Sequence, residues 1–394
     1  MIILSVNAGS SSLKFTGFEM PSEDVLISGV FERIGIGNSF YTIKVSGEKI
    51  KKEVDLPEHK VAFEILIKEL MDNKIVSSLD EIKGVGHRIV QGGAYFDKTE
   101  IATDDVVAKI DELASLAPLH NKPAIVGINA AKEVMPGALQ TVVFDTAFHQ
   151  TMAPTEYMYA VPYAWYNDYK IRKYGAHGTS HKYVSMRANE ILGRNDTKLI
   201  TCHLGSGASI SAVVGGRCVD TSMGLTPNAG LIMGSRCGDM DATVVTYAME
   251  KTGMSPKEMD TVLNKQSGLL GISGVSSDSR DIENGINEGN ERCKLAQDMY
   301  VKRIVEYIAK YYVLLEGCDA IVFTAGVGEN SINTRKAVLD KLRVLGIKVD
   351  EDANNVRGVE TKITTDDSSI PAFIIPTNEE LMIAKDTYSL VLQG

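Results

Sequence analysis

Cys202-His203-Leu204-Gly205-Ser206-Gly207-Ala208-Ser209-Ile210-Ser211-Ala212-Val213-Val214-Gly215-Gly216-Arg217 reads as strand, tight turn, strand. The apolar run from Lys198 to Cys202 enters the turn and Ile210 to Val214 leaves it. Glycine at 205 and 207 frees the backbone to take positive φ and lets a bulky anion come close. Backbone N–H groups and small hydroxyls in such a turn form an anion-binding concavity. The same residues also suit a plain β-hairpin, so the turn alone does not choose between the two.

The start of the chain repeats the pattern. Met1 to Val6 is an apolar strand, Asn7-Ala8-Gly9-Ser10-Ser11-Ser12 a small polar turn, and Leu13 to Phe18 alternates again. Two strand–turn–strand units predict a duplicated domain, with two phosphate loops that clamp a polyphosphate. A chain of 394 residues is too long for one ordinary core, which also predicts two domains.

Between and after the loops, strand-like and helix-like stretches alternate. Short β-like runs at 25–27, 39–45 and 50–54 read as a meander. Strands are expected at 85–90, 140–144, 320–324 and 373–375. Helices are expected at 58–76, 104–116, 123–134, 181–192, 239–251, 255–265, 291–315, 331–345 and from Asn378 through Lys385. Ala117-Pro118-Leu119-His120-Asn121 reads as a break between two of them. This is an α/β pattern, in which ligands sit beyond strand ends. The rings of 153–175 (Tyr157, Tyr159, Tyr163, Trp165, Tyr166, Tyr169, Tyr174) suit packing or an interface better than base stacking. The domain boundary falls near 147.

A net charge of −10 argues against nucleic acid and anionic membranes as general partners. An acidic chain that binds anions needs local Arg and Lys near its glycine turns. The five cysteines are widely spaced with no CxxC, which predicts reduced thiols, a cytoplasmic location and no structural zinc. No signal peptide or bilayer-spanning run is read. There is no GxxxxGK[ST] and no HEXXH. Ala325-Gly326-Val327-Gly328-Glu329 lacks the third glycine of a dinucleotide fingerprint, and reads as a turn that lets adenosine lie on bare backbone.

Phosphoryl transfer needs positioned cations, a metal and in-line geometry rather than covalent help. The candidates at strand ends and glycine turns are Arg88, Asp145, His177, Arg236 and Glu379. Guanidinium offers paired donors to phosphate and carboxylate, and carboxylates suit Mg²⁺. Each of the five could equally serve a structural ion pair.

Eleven stretches resemble the acetate kinase family, within the acetate and sugar kinase/Hsp70/actin superfamily. They are VNAGSSSLKF (6–15), GHRIVQGG (86–93), LAPLHN (116–121), FDTAFHQTM (144–152), YGAHGTSHKYV (174–184), CHLGSGAS (202–209), DTSMGLTP (220–227), MGSRCGDMD (233–241), SGLLGISGVSSDSRD (267–281), FTAGVGENS (323–331) and PTNEELMIA (376–384). The resemblance implies two domains of duplicated actin-like/ribonuclease H-like topology, with mixed central sheets and flanking helices, around a cleft. The domains would be 1–147 plus 381–394, and 148–380. It also implies a homodimer and reversible transfer of the ATP γ-phosphoryl to acetate, with Mg²⁺ or Mn²⁺, giving acetyl phosphate and ADP.

By resemblance, Arg88 and Arg236 hold the carboxylate and the phosphoryl group, and His177 hydrogen-bonds that group. Asp145 and Glu379, with Asn7, position the metal. Ser10, Ser12 and Lys14 belong to the first phosphate loop; His203, Leu204, Gly205, Ser206 and Gly207 form the second. Asp278, Ser279, Arg280, Gly326, Val327, Gly328, Glu329 and Asn330 line the adenosine pocket, and Val90, Leu119, Ala176 and Pro227 the acyl pocket. The chain departs from the family pattern in four places. Ser206 stands where Asn is usual, Ala176 where Phe is usual, Gln91 where His is usual, and Asn228-Ala229 replaces Leu-Glu. Loss of a ring at 176 predicts weaker discrimination against propionate and butyrate. The rival readings are a propionate or butyrate kinase, a pyrophosphate-using relative, and a non-catalytic nucleotide switch. The last would use an interaction domain, and none follows the final helix.

Overall fold

The structure, a computed structural model, describes residues 1–393, without the side chain of Pro118. Its contacts divide the chain into two units: Met1–Gln150 with the chain from Asn378 onward, and Thr151–Thr377.

The first unit is built on an eight-stranded sheet. Its strands are β1 (Ile2–Ala8), β2 (Ser12–Glu19), β3 (Asp24–Glu32), β4 (Phe40–Val45), β5 (Glu48–Glu53), β6 (Ile82–Ile89), β7 (Glu100–Ile101) and β8 (Leu139–Phe144), in the order β5-β4-β3-β2-β1-β6-β8-β7. β1 is buried almost end to end because it is a central strand, antiparallel to β2 and parallel to β6. At the edge, β5 reads Glu-Lys-Ile-Lys-Lys-Glu, and those charges discourage pairing with another chain.

The second unit has a six-stranded sheet. Its strands are β9 (Lys198–Leu204), β10 (Ala208–Val214), β11 (Arg217–Thr221), β12 (Ala320–Thr324), β13 (Thr361–Lys362) and β14 (Ala372–Ile374), in the order β11-β10-β9-β12-β14-β13. β9 is antiparallel to β10 and parallel to β12, which is parallel to β14. The run β3-β2-β1-β6-β8 therefore matches β11-β10-β9-β12-β14 in order and direction. The duplication expected from the two Gly/Ser turns is present.

Helices cover both sheets. Pro118–Val134 lies on β1 so closely that a Cβ added to Gly127 would come within 2.7 Å of the Ala8 methyl. The C-terminal helix Glu379–Val391 lies on β6, where a Cβ at Gly84 would meet Thr387 Cγ2 at 2.7 Å and one at Gly86 would meet Thr387 Oγ1 at 2.3 Å. Two glycines in a strand interior thus allow the close approach that sets Glu379 over the end of β6. In the second unit Glu291–Leu314 buries Tyr300, Ile304, Ile308 and Tyr311 at helical spacing against the sheet. Among the described residues no helix is long and apolar enough to cross a membrane.

Four local expectations are corrected. The break expected at 117–121 is narrower: Ala117 is non-helical, but helix Pro118–Val134 starts at the next residue and runs on without interruption. The Ala117 carbonyl accepts from the N–H of His120 (3.1 Å) and Asn121 (2.9 Å), and the buried Asn121 amide donates to the Gln91 carbonyl at 2.9 Å. That tertiary anchor carries the helix through Pro123, which removes only one backbone donor. Residues 325–330 form a short helix, not an open turn, because Glu329 reaches back to accept from the Ala325 N–H at 2.7 Å. The C-terminal helix runs on past Lys385 to Val391, and the expected helix at 239–251 begins only at Thr243.

Candidate active site

In the first unit, parallel strands deliver the charged residues to one end of the sheet. Arg88 is the penultimate residue of β6 and Asp145 directly follows β8, where its N–H donates to the Ile89 carbonyl at 2.8 Å. The guanidinium then forks onto the carboxylate, with Nε donating to Oδ1 at 3.0 Å and Nη2 to Oδ2 at 2.7 Å. Asp145 is buried at 2% exposure. Its charge holds Arg88 more firmly protonated than usual. Asn7 sits at the same end, on the next parallel strand.

Glu379 opens the C-terminal helix, and Asn378 caps that helix by accepting from the Leu381 N–H at 3.0 Å. Burial pushes its carboxyl up to about 7; the charges of Asp145 and Glu380 add to this, while Arg88 and Lys14 oppose it. Lys14, on β2, pairs with Glu380. Ser10 lies in the β1–β2 turn and Ser12 opens β2; a Gly9 N–H to Ser12 carbonyl bond of 2.8 Å closes the turn.

In the second unit the equivalent turn, between β9 and β10, is closed by the Gly205 N–H donating to the Gly207 carbonyl at 3.1 Å. A Cβ added to Gly207 would lie 3.2 Å from Arg236 Nη1 and 3.5 Å from His177 Nε2. Arg236 and His177 therefore share the bare face of this loop. His177 caps helix Gly178–Leu192 from the left-handed region, with φ 57°. Its ring stacks on His203 with centroids 4.0 Å apart, and its Nδ1 lies 2.9 Å from Ser209 Oγ. Arg236 is half-buried and donates only to the Pro227 carbonyl (3.2 Å) and the Met233 sulfur (3.7 Å). Among the described residues no carboxylate pairs with it, and burial alone lowers its proton affinity. It is a desolvated cation awaiting an anion.

Beside that loop is a cavity of about 550 Å³, within the size range of small-ligand sites. Gly205, Ser206, Asp278, Ser279, Arg280, Gly326, Val327 and Asn330 line it, all singled out from the sequence. Asp278 caps helix Ser279–Asn287 and grips the Arg280 side chain, which holds its carboxyl down at about 2. Gly328 and Glu329 are not on the lining. The Gly328 carbonyl accepts from Arg335, and the Glu329 carboxylate takes the N–H of Ala325 and of Thr377.

The cavity also draws on residues that sequence reasoning left out, among them Gly234, Glu283, Tyr300 and Arg357. Tyr300 and Arg357 carry no local signal; helix Glu291–Leu314 and the loop after Asn354 bring them there. The four acyl residues are divided between the units. In the first, Val90 is half-buried and Leu119 is 74% exposed; in the second, Ala176 is buried in the core cluster and Pro227 is exposed.

The sequence pattern of the Acetokinase family matches residues 2–385. Acetate kinase from Bacillus subtilis is 52% identical over 98% of this chain and 99% of its own length. A crystal structure of Porphyromonas gingivalis acetate kinase superposes with a TM-score of 0.95 at 45% identity, covering 99% of both chains. A propionate kinase from Francisella tularensis superposes with a TM-score of 0.92 at 42% identity, over 98% of this chain and 99% of that one. From end to end, in sequence and in fold, the chain belongs to the Acetokinase family.

Proposed function

We propose that Arg88, Asp145, His177, Arg236 and Glu379 carry the reaction of this enzyme, the reversible transfer of the ATP γ-phosphoryl to acetate that gives acetyl phosphate and ADP. The observation that supports these roles best is Arg236. Its half-buried guanidinium, with no carboxylate partner among the described residues, stands beside His177 Nε2 over a glycine loop, as an anion-transferring site requires. The acetate carboxylate is already ionised at neutral pH, so no general base is needed. The barrier is bringing two anions together, and cationic and hydrogen-bonding groups lower it.

The first unit fits a hard divalent cation. Asp145, Glu379 and Glu380 outnumber the cations Arg88 and Lys14 around them, and burial, with the neighbouring carboxylates, raises the Glu379 carboxyl to about 7. Glu379, Asp145 and Asn7 would hold Mg²⁺, which keeps several waters and few protein ligands. When bound it neutralises phosphate charge. The adenosine of ATP would occupy the cavity beside Gly205, with Ser206, Asp278, Arg280 and Asn330 around it.

A pH effect follows from Glu379. Its carboxyl gives up its proton when the cation arrives, so binding of MgATP near pH 7 releases a fraction of a proton. Calorimetry in two buffers of different ionisation enthalpy reads that release. Glu379→Gln, with no proton to lose, is expected to reduce it.

We assign acetate as the main substrate and propionate as accepted, because alanine stands at 176 where the resemblance puts a phenyl ring. One methylene in such a pocket is worth about 1–3 kcal/mol. Ala176→Phe is expected to lower the propionate-to-acetate ratio of kcat/KM about ten-fold. An unchanged ratio removes residue 176 from the pocket. The exposed rings Tyr163, Trp165 and Tyr169 of the second unit support a homodimer, checked by sedimentation of the protein and of a Trp165→Lys variant.

A further inference from the structure

We propose that Glu283 selects the nucleobase: one oxygen of its carboxylate accepts a hydrogen bond from the 6-amino group of adenine and disfavours purines that carry a carbonyl there. The proposal rests on the placement of the nucleoside in the cavity beside Gly205.

The cavity has two ends. At one, a Cβ added to Gly205 would lie 3.7 Å from the Ala325 methyl, so helix Ala325–Asn330 starts at the phosphate loop. Ser331 directly follows that helix, about 9 Å from Ala325 along the axis at the usual rise per residue. There the Ser331 hydroxyl donates to Glu283 Oε1 at 2.6 Å. Ser331 and Glu283 both line the cavity, as does Gly326 between the two ends. A nucleotide with its phosphates at Gly205 and its ribose at Gly326 brings its base to the Glu283–Ser331 end.

The local fold explains the meeting. Asp278 caps helix Ser279–Asn287, and Glu283 stands one turn after Ser279 on the same face, so both border the cavity. Ser331 caps helix Ile332–Lys341, its Oγ accepting from the Thr334 N–H at 3.2 Å. Behind it Gln297 Nε2 donates to Thr334 Oγ1 at 3.1 Å, and Thr334 Oγ1 meets Ser331 Oγ at 2.9 Å. A carboxylate only accepts, so the one Ser331 proton goes to Glu283 and Thr334 donates to Ser331.

Oε1 is thereby engaged. Among the described residues Oε2 has no donor, and no Lys or Arg pairs with the carboxylate. A half-buried carboxylate held by a single hydroxyl has lost water without full replacement. It is an acceptor in want of a donor at the base end of the cavity. A purine joined to ribose at N9 turns its C6–N1 edge away from the sugar. Adenine carries a donor at C6, whereas guanine carries an acceptor there, and hypoxanthine does the same. The amine completes Glu283; a carbonyl sets lone pair against carboxylate.

The test is the ratio of kcat/KM for ATP to that for ITP in acetyl phosphate formation. ITP keeps the purine, ribose and phosphates and exchanges the 6-amine for a carbonyl. The parent is expected to prefer ATP by about ten-fold, the effect of one hydrogen bond to a charged group, and to show it in KM rather than kcat. Glu283→Gln keeps a carbonyl oxygen for Ser331 and turns an amide NH₂ to the cavity. Its ratio should fall to about one or below, with ITP gaining as ATP loses and the KM for acetate unchanged. Glu283→Ala should lose the preference without gaining ITP. Gly326 has open space where a Cβ would stand, so Gly326→Leu fills the middle of the cavity and should raise KM for ATP and ITP alike. Should the glutamine variant not fold, the parental ratio and Glu283→Ala decide. A parent that uses ITP as well as ATP, or a ratio unchanged at Glu283→Gln, overturns the role of Glu283 alone if Gly326→Leu raises both KM values. An unchanged KM for ATP in Gly326→Leu overturns the underlying placement of the nucleoside.

Discussion

Replacing Arg236 with alanine is expected to lower kcat by about 10³-fold or more while leaving the protein as stable as before. The two halves of that result have one cause. The guanidinium is half-buried without a carboxylate partner, so the folded enzyme bears the cost of its desolvation and recovers it only when an anion binds. Removing it deletes the stabilisation of a transferring phosphoryl group. It also relieves a buried charge, and the lost bonds are only those to the Pro227 carbonyl and the Met233 sulfur. Thermal or urea unfolding should therefore shift by less than about 1 kcal/mol. Arg236→Lys should recover only part of the rate, because an ammonium keeps the charge but lacks the planar fork. A large loss of stability in Arg236→Ala would mean that the residue is structural.

Arg88→Ala should behave differently. Here the guanidinium is locked two-to-two onto Asp145, whose carboxylate is almost fully buried. Truncation leaves that carboxylate without its partner, and breaking such a pair costs about 3 kcal/mol. Activity should fall by about 10³-fold as well, through loss of the cation and through the displaced Asp145. The double variant Arg88→Ala/Asp145→Asn separates these effects. Amide in place of carboxylate removes the stranded charge, so much of the stability should return while the activity does not. A double variant as unstable as Arg88→Ala would show that the ion pair is not what holds this corner together.

The contrast between the two arginines could not have been read from the chain alone. Both stand in quoted motifs near glycines, and sequence places them equally. Whether a carboxylate answers them is a tertiary fact: Asp145 lies beside Arg88 because β6 and β8 are parallel neighbours, and among the described residues no carboxylate pairs with Arg236. The hairpins were legible, because alternation and Gly/Ser turns are local signals, and two copies of one signal gave the duplicated sheet. The continuity of Pro118–Val134 was not, since prolines at 118 and 123 read as punctuation while the opposing anchor, Asn121 on Gln91, spans the fold. The helix at 325–330 was hidden among glycines because a side chain, Glu329, supplies the cap. Glu283 carried no local signal. Its partner Ser331 lies on another element, and only packing unites them.

The account stands most directly on hydroxamate-trapped acyl phosphate formation from ATP and Mg²⁺, with and without acetate, in the parent enzyme and in Arg236→Ala. It predicts ADP and acetyl hydroxamate in equal amounts from the parent, no ADP without a carboxylate, and a loss of about 10³-fold in the variant at unchanged stability. ATP turnover that ignores acetate, or acetyl phosphate made at the parental rate without Arg236, would contradict it.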